Sequence, residues 1–204
     1  TALRLAALAL AVASVAAAAG RDAPGVRRTI LKNGLTVLIA PDPAATAAGV
    51  GVWFPAGTRY EEPGKSGLTT LLGRLLSRGA FALDLARPER PLSLDGASGG
   101  TESRPDLCGF SETVPADAVD DALALEARRM VALAPAAGEV DQGLSALRAE
   151  RAARTAGGPI GQGLETLFAT AFAGHPYARP SIGLDDDLAG TTVADATEYH
   201  RTRF

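Results

Sequence analysis

The residue types that most often bind metals or attack substrates are few in this chain, so their spacing decides which chemistry is available. The two histidines, His175 and His200, lie on different predicted elements, and neither has further ligands nearby that would complete a zinc site. The single cysteine, Cys108, has no histidine in a recognisable catalytic frame, and the sequence has no G-x-S-x-G nucleophile elbow. We therefore expect structural or surface histidines, and a Cys108 that serves as a small apolar residue on a strand.

Two other patterns could bind small ligands but are better explained as structure. The aspartates from Asp185 to Asp187 could supply carboxylate ligands to calcium, and a solvated polar loop is the preferred interpretation. The glycine pairs at 99–100 and 157–158 do not follow the strand-to-helix pattern of phosphate-binding loops. Nucleotide binding is therefore not predicted.

The stretch from Gly67 to Gly79 is the clearest helix in the sequence. Its leucines recur at spacings of three and four, which is the period of a helix with one buried face. They are Leu68, Leu71, Leu72, Leu75 and Leu76. Thr70, Gly73 and Arg74 fall between these leucines.

Strands are predicted before this helix and mainly helices after it. The predicted strands are at 28–31, 35–40, 47–54 and near 107–114. Asn33-Gly34 between the first two strands predicts a hairpin, because both residues tolerate positive φ. A long irregular loop is predicted from Ala80 to Pro105. The predicted later helices are at 115–130, about 139–155, about 160–172 and from Thr191 onward.

Taken in order, these motifs resemble the insulinase/pitrilysin family of metallopeptidases, which includes mitochondrial processing peptidase. That family has G-L-x-H-x-x-E-H-x-L at the leucine-rich helix, where two histidines bind zinc and the glutamate between them acts as general base. The N-G-L hairpin, the G-[ST]-R-x-E-x-x-G loop from Gly57, the H-P-Y turn from His175 and the T-x-x-D start of the last helix follow the family's order. The resemblance runs from about residue 28 to Phe204.

In this chain the family's zinc-binding and general-base positions carry Thr70, Gly73 and Arg74. Threonine is a poor zinc ligand, glycine has no side chain, and arginine places a fixed positive charge where the cation should lie. The family's third ligand, a glutamate on a later helix, corresponds to Glu150. Because one carboxylate cannot hold zinc, the resemblance implies no catalytic residue, no bound metal, and a vestigial ligand position at Glu150. Glu150 either pairs with Arg74 across the lost site or is a solvated helix carboxylate.

The resemblance also implies an α+β fold. We expect an antiparallel β-sheet packed on one face by helices, equivalent to one half of the two-domain subunit found in the family. In active relatives a glycine pair followed by Asn-Ala marks an edge strand that holds the substrate peptide. Here Gly99-Gly100 is followed by Thr101 and Glu102, so a plain surface loop is preferred at this point. The substrate-binding residues stay unknown.

By the same resemblance, the favoured function is that of a catalytically inactive homologue that acts as a peptide-binding or scaffold subunit of a heteromeric zinc peptidase. Its partner would be an active family member with an intact zinc motif, and zinc is expected only in that partner. Two alternatives stay open: an active zinc metalloendopeptidase that cleaves peptides, and a stand-alone periplasmic domain with a peptide-binding or structural role.

The composition indicates an exported protein. Residues 1–20 hold one charge and an apolar run with an A-x-A ending, which is typical of a signal peptide, and an uncleaved membrane anchor is the alternative. A single cysteine excludes an internal disulfide and fits the bacterial periplasm. We expect a linker at 21–27 and the peptidase-like domain at 28–204, continuing into a second homologous domain. The 20 basic residues are scattered and the net charge is -3, which argues against nucleic acid as a partner.

Overall fold

A computed structural model describes residues 25–82, 98–131, 133, 135–156 and 159–204 of the 204-residue chain. The chain divides into two compact units, one up to Ala45 and the other from Thr46 to Phe204, and each is described by itself. The predicted signal segment at 1–20, most of the predicted linker, and part of the predicted long loop (83–97) lie outside the described residues. No helix within the described ranges has both the length and the apolar character needed to cross a bilayer.

The first unit contains an antiparallel hairpin of β1 (Arg27–Ile30) and β2 (Thr36–Ile39), which confirms the predicted hairpin. Gly34 in the connecting turn has a φ of +90°. Asn33 tolerates positive φ but does not adopt it here. Its side-chain oxygen accepts a hydrogen bond from the Leu35 N–H at 3.2 Å, and the turn needs the left-handed conformation at glycine alone.

The second unit is a three-stranded antiparallel sheet packed against helices, so the predicted α+β class is confirmed. Its strands are β3 (Ala47–Phe54), β4 (Ser98–Ser103) and β5 (Cys108–Pro115), in the spatial order β3-β5-β4. Its helices are α1 (Leu68–Ala82), α2 (Val119–Val131), α3 (Ala137–Ala156), α4 (Pro159–Ala171), α5 (Asp185–Gly190) and α6 (Val193–Arg203). The start of α6 is fixed by the predicted capping box, in which Thr192 and Asp195 satisfy each other's backbone N–H groups.

The inner face of the sheet and the leucine face of α1 form the core. Side chains alternate along β3 and β5, so Phe54 and Phe110 both point inward, where their rings pack edge to face with centroids 6.1 Å apart. All five leucines predicted to form the buried face of α1 are buried. Four of them pack against apolar side chains of α3, α5 and α6, while Leu76 packs against the sheet. Burying each leucine contributes about 2 kcal/mol, and together they fix the rotation of α1 about its axis.

The segment around Gly99-Gly100 is a strand, which corrects the prediction of a surface loop there. β4 runs antiparallel to β5, with Thr101 opposite Phe110. Its composition indicates a strand only weakly, because glycine packs poorly in sheets, whereas β5 supplies the pairing that stabilises it. Among the described strands β4 pairs with β5 alone and forms one edge of the sheet.

Asp185 to Asp187 form the first turn of α5 and are not the predicted polar loop. Carboxylates are favoured there because the start of a helix carries partial positive charge. Asp187 accepts hydrogen bonds from the Ser66 N–H at 3.0 Å and the Ser66 hydroxyl at 2.5 Å, and Arg151 donates to Asp185 at 3.2 Å. Within the described ranges, no group of three or more histidine, cysteine, aspartate or glutamate residues is placed to hold a metal ion.

A buried ionic cluster joins α2 to the sheet. The Arg129 guanidinium donates to Glu112 at 2.6 Å and also bonds to Glu126, and all three side chains are at most 3% exposed. The guanidinium carbon lies 4.6 Å from the centroid of the Phe110 ring, within the range of a cation–π interaction. Burial raises the pKa of Glu126 to about 7, although the Arg129 charge acts in the opposite direction. Two carboxylates thus share one buried cation.

The close approach of Gly57 to a neighbouring loop gives a stability prediction. Gly57→Ala should lower the free energy of unfolding by about 2–3 kcal/mol, because an added Cβ would lie 2.1 Å from the Pro105 carbonyl oxygen. The Gly57 carbonyl also accepts a hydrogen bond from the Tyr199 hydroxyl at 3.1 Å. This bond restrains the backbone at Gly57 from moving away to relieve the clash. Gly49→Ala is the matched control, since its Cβ meets no atom within 4 Å. Urea unfolding measures both variants, and equal losses would contradict the steric explanation.

Candidate functional site

Side chains from outside the helix fix the start of α1. Glu61 is 3% exposed and accepts hydrogen bonds from the backbone N–H groups of Gly67 at 3.0 Å and Thr69 at 2.7 Å, which a helix start otherwise leaves without partners. Burial raises the pKa of the Glu61 carboxyl to about 7, even though these two N–H groups lower it. Arg179 donates to the Glu61 carbonyl at 2.8 Å. The helix that carries the candidate site is therefore held firmly at its N-terminal end.

Thr70, at the family's first histidine position, is hydrogen-bonded to the backbone. Its hydroxyl donates to the Ser181 carbonyl at 2.6 Å. This bond joins α1 to the segment before α5. A neutral hydroxyl used in this way contributes little as a metal ligand.

Gly73, at the position of the family's general base, is buried where β4 crosses α1. An added Cβ would lie 2.8 Å from Cγ2 of Thr101 and 3.1 Å from Oγ of Ser103. Glycine costs about 1 kcal/mol relative to alanine inside a helix, but here it permits the close approach of the strand. The position therefore serves the packing of β4 and offers no group that could act as a base.

Arg74 and Glu150 form an ion pair between α1 and α3, which is the first of the two alternatives that the sequence left open. Nη2 of Arg74 bonds to one carboxylate oxygen of Glu150, and Nη2 of Arg154, one turn further along α3, bonds to the other. The hydrogen bond from Arg74 holds the pKa of the Glu150 carboxyl below its usual value. The side chains of Arg74 and Glu150 are 31% and 32% exposed, so this pair lies in a solvent-accessible cleft.

The cleft has a volume of about 210 Å³ and lies between α1, β4, α3 and the segment before α5. Thr101 and Ser103 of β4 form one wall, and Ser181 contributes to the opposite side. Two guanidinium groups and one carboxylate give the cleft a net positive charge at neutral pH, since arginine stays protonated.

The residues of this cleft do not fit a zinc ion. A catalytic zinc site uses about three protein ligands, and Glu150 is the one carboxylate among the described residues that line the cleft. Both of its carboxylate oxygens are bonded to arginine. A guanidinium cannot give up its proton to become a ligand, so Arg74 repels a cation from the place where one would lie.

The other candidate residues do not line the cleft and have structural contacts. Nδ1 of His175 accepts a hydrogen bond from the Tyr177 N–H at 3.2 Å. His200 is buried, with Nε2 2.8 Å from the Arg129 carbonyl oxygen. Cys108 is buried on β5 as predicted, and burial raises the pKa of its thiol to about 11, so it is a poor nucleophile at neutral pH.

A double-mutant cycle on Arg74 and Glu150 should give a coupling energy of about 0.5–1 kcal/mol at neutral pH, because the pair is partly screened by water. Since Arg74 lowers the pKa of Glu150, this stabilisation is complete above the ordinary value of 4.5 and is lost as the pH falls through the lower folded-state value. The exposed Glu198–Arg201 pair is the control and should couple more weakly. Chemical unfolding at neutral and acidic pH measures both cycles, and a coupling that persists in acid would contradict the charge explanation.

The chain was compared with family models, curated proteins and solved structures. No family model matches the chain. A reductase subunit of the cytochrome b-c1 complex from Candida albicans is 24% identical over 177 residues, or 86% of this chain, and an uncharacterised zinc protease from Mycobacterium leprae is 27% identical over 186 residues, or 88%. The crystal structure of a protease from Helicobacter pylori matches 87% of the chain with a TM-score of 0.75 and 27% identity. The chain spans 37%, 40% and 43% of the lengths of these three proteins.

The antiparallel sheet, the leucine-packed helix beside it and the facing glutamate helix define a peptidase-type α+β domain. Its sequence and structural similarity to proteases covers most of its length. The chain is similar in sequence and fold to insulinase-type peptidases, which confirms the resemblance seen in its motifs.

The sequence did not predict the contacts of three residues that form or support the site. Arg154 lies four positions after Glu150, and this helical spacing of opposite charges is a signal that could have found it. Glu61 stands in the family-like loop shortly before α1, where a carboxylate is suited to capping the helix. Asp187 had no local signal, since its role depends on the distant Ser66.

Proposed function

We propose that this chain is a catalytically inactive member of the insulinase-type family that binds peptides and serves as a subunit beside an active, zinc-bearing relative. The observation that carries the proposal is the Arg74–Glu150 ion pair, formed by residues that the motif resemblance matches to the family's metal site. Thr70 and Gly73 complete the substitution of the motif. Among the described residues that line the cleft, the one carboxylate, Glu150, has both oxygens bonded to arginine, so neither oxygen is free to activate water. The chain's contribution is to bind the peptide and to help shape the space that encloses it.

Strand β4 supports the peptide-binding part of the proposal. An edge strand presents backbone N–H and C=O groups with which an extended peptide can pair. Thr101 and Ser103 project from this strand into the cleft. A peptide added beside β4 would therefore run next to the cleft and direct alternate side chains toward it.

Two further observations support a subunit role in an exported protein. The Candida albicans relative is named as a subunit of a larger complex. The partner proposed for this chain is a family member with an intact zinc motif, which would supply the metal and the base. The signal-like segment at 1–20 supports export to a periplasm, with a membrane-anchored form if that segment is retained.

Three measurements on the purified protein test this function. Plasma mass spectrometry should find far less than one zinc ion per chain after dialysis. Fluorescence anisotropy should detect binding of extended peptides, and mass spectrometry should find those peptides intact after incubation. Affinity capture from the native host should recover a family member that carries the zinc motif.

Each measurement can contradict a separate part of the proposal. Stoichiometric zinc, together with cleavage that a chelator stops, would identify an active zinc endopeptidase. Peptide binding without capture of a zinc-bearing relative would indicate a stand-alone domain. A protein that binds no extended peptide at all would retain only a scaffold role.

A further inference from the structure

The cleft between α1, β4 and α3 has the chemistry of an anion site, and we propose that it binds a carboxylate group of the captured peptide. This inference rests on the proposed function, since it requires that a peptide be the ligand. A place that holds a cation in active relatives would then take an anion here. The arginine that makes zinc binding unfavourable is the group that favours the new ligand.

The charges of the cleft favour a second carboxylate. Arg74 and Arg154 each bond to Glu150 through a single nitrogen, Nη2. A guanidinium has five N–H donors in a planar fork, so both side chains keep donors that a further acceptor can use. Glu150 balances one of the two positive charges, which leaves one for the ligand.

Both arginines are accessible to a ligand. Arg74 is 31% exposed and Arg154 is 60% exposed, so a carboxylate can reach them without opening the core. Binding would remove little water from an already paired and partly solvated group, and the cost of desolvation is correspondingly small. Charge-assisted hydrogen bonds of this kind are about twice as strong as neutral ones.

The Ser103 hydroxyl on the strand side completes the site. Oγ of Ser103 lies 3.9 Å from Sγ of Cys108, which is too long for more than a weak hydrogen bond, so this hydroxyl can donate to a ligand. The volume of about 210 Å³ can hold a carboxylate with a short aliphatic stem. An aspartate or glutamate side chain and a peptide's C-terminal carboxylate share this chemistry, and the test separates them.

Fluorescence anisotropy with matched peptides tests the proposal. The reference is a neutral extended peptide with an amidated C-terminus; a second peptide has one Asn replaced by Asp, and a third is the reference with a free C-terminus. At least one carboxylate peptide should bind about tenfold more tightly than the reference, and the preference should weaken with added salt. The stronger of the two identifies the source of the carboxylate.

Variants assign the preference to this cleft. Arg154→Gln should reduce the preference to about twofold, because it removes the excess positive charge but leaves the Arg74–Glu150 pair. Arg201→Gln is the matched control, since Arg201 is also an exposed helix arginine paired with a glutamate of its own helix, and it should leave all affinities unchanged. Circular dichroism verifies that both variants are folded.

The outcomes separate this inference from the function on which it rests. Equal affinities for all three peptides would overturn the carboxylate site and leave peptide binding intact. A preference that survives both Arg154→Gln and Arg74→Gln would also overturn it, because the anion would then bind elsewhere. Failure of every peptide to bind would overturn the proposed peptide-binding function as well.

Discussion

Thr70→His combined with Arg74→His should create a zinc site that holds about one ion per chain. The two histidines would lie one helical turn apart on α1 and face the same cleft. Removal of Arg74 would free one carboxylate oxygen of Glu150 to act as the third ligand, while Arg154 keeps the other. Three protein ligands with one open position are what a catalytic zinc site requires. Zinc is measured by plasma mass spectrometry after dialysis, and its affinity by competition with a chromophoric chelator.

The best control for this variant changes Glu150. Adding Glu150→Gln should remove most of the zinc affinity, because a neutral amide replaces the charged ligand. Gly73 is left unchanged, since a glutamate there would displace Thr101 at a cost of about 1–3 kcal/mol. If the double variant fails to bind zinc, the cleft does not retain the geometry of a metal site; if it binds zinc equally well without Glu150, α3 does not present the third ligand.

Arg129→Met should lower the free energy of unfolding by about 3–5 kcal/mol at neutral pH. The substitution keeps an apolar stem of similar length but leaves Glu112 and Glu126 buried without the cation that both contact. Removing one partner of a buried ionic group costs far more than the net contribution of the whole group, because the remaining charge is not solvated. Urea unfolding followed by circular dichroism measures the loss.

The stability lost in Arg129→Met should depend on pH, because the pKa of Glu126 is raised. The folded-state pKa of Glu126 is about 7, above the ordinary 4.5, so the stability that its proton contributes is complete below 4.5 and is lost as the pH rises through about 7. Burial also raises the pKa of Glu61 to about 7, so the stability that its proton contributes is lost over the same pH range. The loss caused by Arg129→Met should therefore be larger at about pH 8 than at about pH 5.

Glu126→Gln supplies the matched comparison for the buried cluster. It keeps the shape of the side chain and removes the titrating proton, so it should flatten part of the decrease in stability between about pH 5 and pH 8. A decrease equal to that of the unaltered protein would show that Glu126 is not the group responsible. An Arg129→Met loss that shrinks at high pH would contradict the charge explanation.

Much of the fold was predictable because its elements have strong local signals. The spacing of the leucines in α1 places all five on one face of the helix, and in the structure this face is buried. The strand β4 was not predictable in this way, because glycine-rich segments form strands only when a neighbour such as β5 pairs with them. The aspartates of α5 were likewise misinterpreted, since their helix is short and is held by a contact with the distant Ser66.

For the candidate site, motif order indicated which positions matter, and tertiary packing decided how their side chains are used. Thr70, Gly73, Arg74 and Glu150 could all be placed from the sequence. Whether Arg74 meets Glu150 depends on how closely α1 and α3 approach, which no local pattern specifies. The raised pKa of Glu61 also depends on burial, a property of the assembled core.

The contact between Gly73 and Thr101 makes these two positions depend on each other. An added Cβ on Gly73 would lie 2.8 Å from Cγ2 of Thr101, so a larger residue on the helix requires the threonine to shift or to become smaller. An engineered general base on this helix would therefore be best combined with a smaller side chain at the facing position of the strand.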